Sequence, residues 1–176
     1  GSVMELLKKI DQVLMKFFNA TMISANFILG TLILIGAFMR YILKKDFYGL
    51  EEIVLMIAFW MYFIGSAVAT REDTQVSADL LSSAMKSEKA QAILSVVRTV
   101  ITLILYVILM KWSFDYLKWS ISMRPTTAVY KMPMAIAHAS LFLSFLLSVV
   151  YELTHVIHAV VGVGKAFEKK AGGEKS

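Results

Sequence analysis

The chain has 176 residues, of which 58% are hydrophobic and 18% charged, with a formal net charge of +5 and a mean hydropathy of +0.68. Soluble domains are usually about 45–50% apolar and about a quarter charged, so this composition excludes an ordinary soluble domain and makes nucleic acid an implausible partner for the positive charge. With no cysteine, disulfides, thiolate metal sites and cysteine nucleophiles are excluded as well.

The apolar residues are gathered into runs long enough to cross a bilayer, which takes about 20 of them. The expected fold is an all-α integral membrane protein with four spanning helices and additional amphipathic interfacial helices. Gly1 and Ser2 read as a remnant of tag cleavage. No cleavable signal peptide is expected next, because residues 3–18 alternate charge with apolar side chains. There Val3, Leu6, Leu7, Ile10, Val13, Leu14 and Phe17 share one helical face, and Glu5, Lys8, Lys9, Gln12 and Lys16 take the other. Such a segment beside a span reads as a helix lying in the headgroup region.

The first span is expected over 20–43, with no charge before Arg40 and its polar residues near the start. The second is expected over 50–70, entered by Glu51 and Glu52 and left at Arg71. The twenty steps from Glu51 to Arg71 cover roughly 30 Å of helix, which matches the hydrocarbon thickness. Acids at the start and a cation at the end also suit the helix dipole. Trp60 lies near the centre, where packing is the default role. Gly65 and Ala69, small residues four apart, would allow a close helix approach. Residues 73–91 repeat the amphipathic pattern more weakly and are expected to form a second interfacial helix.

The third span is expected over 92–117. It carries Arg98, which must pair with an acid on another helix or snorkel toward lipid headgroups, since an isolated charge at mid-membrane costs roughly 2.5 kcal/mol or more. Trp112, Phe114, Tyr116 and Trp119 follow as an aromatic belt. The fourth span is expected over 132–161, with Pro133 in its first turn. Ser140, Ser144, Ser148 and Glu152 recur every fourth residue and so form one row, and the three serines are the candidate contact surface for a partner helix. Residues 162–176 form a basic tail.

Four spans put both termini and the middle connection on one side. That side holds eleven basic residues: Lys8, Lys9, Lys16, Arg71, Lys86, Lys89, Arg98, Lys165, Lys169, Lys170 and Lys175. The other holds seven: Arg40, Lys44, Lys45, Lys111, Lys118, Arg124 and Lys131. Basic loops stay inside, so both termini are expected in the cytoplasm.

No phosphate-binding glycine loop or Ser/His/Asp set is present. Glu152, His155 and His158 are spaced for one helix face, and Glu-x-x-His is a metal element of carboxylate-bridged bundles. That site needs acids from several helices, and the first and third spans offer none in the membrane. A membrane-embedded metal or haem protein using His138, His155 and His158 is the alternative reading. No span centre shows the broken helix or polar lining that carriers and pores need.

One stretch carries a recognisable pattern: Phe47-Tyr-Gly-Leu-Glu-Glu52, Trp60, Gly65-Ser-Ala, Arg71-Glu72 and Asp79-Leu-Leu81. It resembles the small membrane subunit of tripartite ATP-independent periplasmic (TRAP) transporters, the DctQ-like family. Length, four spans and the amphipathic N-terminal segment agree. Gln75 stands where that family often has histidine, and Ala78 where it often has valine, so no proton or ligand role is assigned to that corner. The resemblance implies a non-catalytic scaffold in the bacterial inner membrane with no cofactor of its own. Its partners would be a large membrane subunit holding the substrate and sodium sites, a periplasmic substrate-binding protein and membrane lipids, but no nucleic acid. The cargo would be an organic acid such as a C4-dicarboxylate or a sialic acid.

Overall fold

In a computed structural model, the chain forms α1 (Ser2–Tyr41), α2 (Leu50–Ala84), α3 (Glu88–Met123) and α4 (Ala135–Gly173). The structure describes residues 1–84 and 86–173, and the side chains among these other than 73–79, 81 and 82. The described residues hold no β-strand beyond one isolated bridge, Thr126 to Pro133. Each helix has a stretch long and apolar enough to cross a membrane.

The helices are longer than the expected spans. At 40 residues α1 measures about 60 Å, twice the hydrocarbon thickness of about 30 Å. The amphipathic segment 3–18 is not a separate helix but the first half of α1. Likewise 73–91 is divided between the end of α2, at Ala84, and the start of α3, at Glu88. The reason lies in the backbone. No proline or glycine falls between residues 3 and 29 or between 66 and 84, so nothing interrupts the hydrogen-bond ladder where the side chains change between charged and apolar. Pro133 also departs from expectation. It precedes α4 by two residues and closes the bridge to Thr126.

The chain divides into two compact units, one of Gly1–Val68 and Asp115–Ser144, the other of Ala69–Phe114 and the chain from Phe145 onward. In the first unit, α1 lies along α2, with Met22 Sδ 3.5 Å from the point where a Cβ on Gly65 would sit. Thr21, Met22, Ala25, Met56, Trp60 and Ile64 line an apolar cleft of about 290 Å³ between these helices. In the second unit, α3 and α4 run antiparallel. The Tyr106 and Phe145 rings are 6.5 Å apart, Lys89 Nζ sits 4.5 Å over the Phe167 ring, and Lys169 approaches Glu88 at 3.9 Å. That last pair is exposed, and exposed ion pairs contribute only about 0–1 kcal/mol.

Candidate functional site

The entry to α2 is built by residues far apart in sequence. Val129 N–H donates to Glu52 Oε1 at 2.6 Å, and Tyr130 N–H donates to Glu52 Oε2 at 3.0 Å. An ionised carboxylate offers only acceptors, which suits two neighbouring backbone donors. The loop it holds is shaped from within. Thr127 N–H donates to the Met132 carbonyl, Met132 N–H donates to Thr127 Oγ1, and Met134 N–H donates to the Pro125 carbonyl. Arg124 and Lys131 take left-handed conformations at φ 50° and 55°.

Glycine is required at position 49 for two reasons. Its φ is +86°, a conformation that side chains with a Cβ resist. A Cβ there would also lie 2.3 Å from Tyr130 Cε2. The Tyr130 hydroxyl closes the arrangement by donating to the Tyr48 carbonyl at 3.4 Å. Tyr48, Gly49 and Glu52 of the sequence motif thus converge on one loop.

The aromatic belt is anchored at the same unit's α3–α4 contact. Tyr116 and Trp119 stack at 5.6 Å with planes 8° apart, and the Tyr116 ring lies 4.4 Å from that of His138. His138 Nδ1 is 2.7 Å from Ser120 Oγ, and both residues are buried. His138 is a packed, hydrogen-bonded histidine.

A polar hub occupies the second unit. Thr70 Oγ1 is 3.0 Å from the Tyr106 hydroxyl and 3.4 Å from Ser148 Oγ. The Thr70 carbonyl accepts from His155 Nε2 at 2.9 Å. A carbonyl can only accept, so the proton is on Nε2. One residue of α2 therefore links to α3 and twice to α4.

The other expected residues have varied positions. Ser140, Ser144, Ser148 and Glu152 are all at most 2% exposed. The serine row is therefore covered by the chain itself and is not an open surface for a partner helix, which corrects that expectation. Ala69 is exposed, and the small residue buried beside it is Ala67, so Gly65 and Ala69 do not act as a pair. Glu51 and Glu72 are exposed, while Glu52, Trp60, Arg71 and Arg98 are half-buried. The side chain of Asp79 lies outside the described residues. His158 is exposed and His155 is committed to Thr70. Among the described residues no three His, Cys, Asp or Glu side chains come together as metal ligands, and no observation favours the metal or haem reading. Tyr130, Thr70 and Tyr106 belong to no motif in the sequence. Their partners lie 36 to 85 residues away, and no local pattern signals such pairings.

The family model for the DctQ component of tripartite ATP-independent periplasmic transporters matches residues 29–162. The chain belongs to the DctQ family. The match takes in the clamped loop, the aromatic belt and the hub. A comparison with individually curated proteins gives no match. As a DctQ component the chain is a small membrane subunit of a transporter.

Proposed function

We propose that the chain is the non-catalytic scaffold subunit of a sodium-driven TRAP importer of an organic acid. The observation that carries the reading is the DctQ match over 29–162, and the placement of polar residues supports it. The hydrogen bonds of Glu52, Thr70, His138 and His155 go to the chain's own backbone or side chains. These groups hold helices and a loop. The apolar faces are left open: Phe27 is 75% exposed and Leu34 is 71% exposed on α1. Such faces suit lipid and a large hydrophobic subunit.

In this reading the substrate and sodium sites lie in the large membrane subunit, and a periplasmic protein delivers the cargo, a C4-dicarboxylate or sialic acid being of the right class. Both termini lie in the cytoplasm by the balance of basic residues. Co-purification with a much larger hydrophobic partner is the expected result, with uptake in liposomes requiring both chains. Uptake by this chain alone would sink the proposal. Orientation is read separately, since the chain has no cysteine. An impermeant thiol reagent added from outside should label Asp46→Cys and not Lys86→Cys.

A further inference from the structure

Glu152 is 2% exposed in the middle of α4. The other glutamates of its unit whose side chains are described, Glu72, Glu88 and Glu168, are exposed. A buried carboxylate requires donors. Ser148 and His155, four residues before and three after, both reach Thr70. Residues at such spacings share a helix face, so Glu152 faces α2 at the level of Thr70. Arg71 is the next residue of α2 and is half-buried.

The geometry of α3 leads to a second cation. Tyr106 of α3 touches both Thr70 and Phe145. Glu152 lies seven residues beyond Phe145, which returns it to the same face after two turns, about 10.5 Å along α4. Because α3 runs antiparallel, the matching step goes back along α3. Eight residues before Tyr106, about 12 Å along the axis, stands Arg98, whose Nε is buried. Lys89 over Phe167 shows that the two helices are still side by side beyond this level.

We propose that Glu152 is the shared buried counter-charge of Arg71 and Arg98, tying α2, α3 and α4 into one node. The inference stands independently of the transporter reading. It accounts for two cations and an acid within one unit of largely apolar helices, since a buried charge is costly alone and is offset by an opposite charge beside it. The node lies one turn from the Thr70 hub, so charge and hydroxyl contacts reinforce the same junction.

The test uses the full chain in lipid nanodiscs, with its unfolding midpoint read by tryptophan fluorescence. Glu152→Gln, Arg71→Gln and Arg98→Gln are each expected to lower the midpoint by several degrees. In the Glu152→Gln background, each arginine substitution should cost less than half of what it costs alone. An undiminished cost for either arginine, or a Glu152→Gln protein that melts like the parent, would overturn the proposal. A second measurement needs no variant to fold. Solid-state NMR of the unmodified protein should show the Glu152 carboxyl carbon in dipolar contact with guanidinium nitrogens of both arginines. Contact with only one, or with none, would refute the three-helix node.

Discussion

At Glu52 a single carboxylate gathers two backbone N–H groups of a loop, whereas at Thr70 a hydroxyl and a carbonyl gather side chains from two other helices. The hydrogen bonds of the first arrangement are exposed, and those of the second are part-buried or buried. The difference follows from what each region lacks. The loop from Arg124 to Met134 has backbone groups that no helix ladder satisfies, so it needs an acceptor with two oxygens. Around Thr70 the helix backbones satisfy themselves, and what must be matched are side-chain hydroxyls and a histidine in an apolar setting. A clamp of the first kind fixes the shape of a loop. A hub of the second kind fixes the register of helices.

This contrast can be broken at either end. The largest effect is expected for Gly49→Val, which combines a left-handed backbone with the Tyr130 ring in its way. The backbone term alone is roughly 1–2 kcal/mol, and the unfolding midpoint in detergent should fall accordingly. A midpoint equal to the parent's would mean that the loop yields freely and is not clamped. Thr70→Val removes the hydroxyl at the hub while keeping its shape. It is expected to cost about 1 kcal/mol, the range of interhelical hydrogen bonds in membranes, with hydrogen exchange rising in α3 and α4 near Tyr106 and Ser148. Change confined to α2 would deny the hub its linking role.

Glu52→Gln is expected to act locally. The amide keeps one acceptor oxygen but turns an N–H₂ toward the other backbone donor. The amides of Val129 and Tyr130 should lose protection in hydrogen exchange while the helices keep theirs. If protection there is unchanged, the carboxylate does not hold the loop. Gly65→Ala should have the smallest effect, within about 0.5 kcal/mol, because the added Cβ would meet Met22 Sδ at an ordinary 3.5 Å. A large loss would show a closer α1–α2 approach than this distance implies.

Legibility in the sequence followed the range of the interactions. The four apolar helices were plain, because length and hydropathy are local properties that the bilayer reads directly. Their ends were less plain. The change between charged and apolar residues at Phe18 and at Arg71 looks like a boundary, but polarity decides what surrounds a helix and not whether its backbone continues. The row of Ser140, Ser144, Ser148 and Glu152 was visible through its spacing. Its destination was not, since periodicity groups residues on a face without saying what meets that face.

Amino-acid order alone marks a four-span membrane chain, and residues 47–81 point to the DctQ family that the match over 29–162 establishes. Packing selects which of the marked residues have something to hold. Glu52, rather than Glu51, clamps a loop 77 residues away, and Thr70, a residue with no motif of its own, joins partners 36, 78 and 85 residues distant. The physical reason is that a hydrogen bond needs its donor and acceptor within about 3 Å. Only the packing of helices brings such distant residues that close.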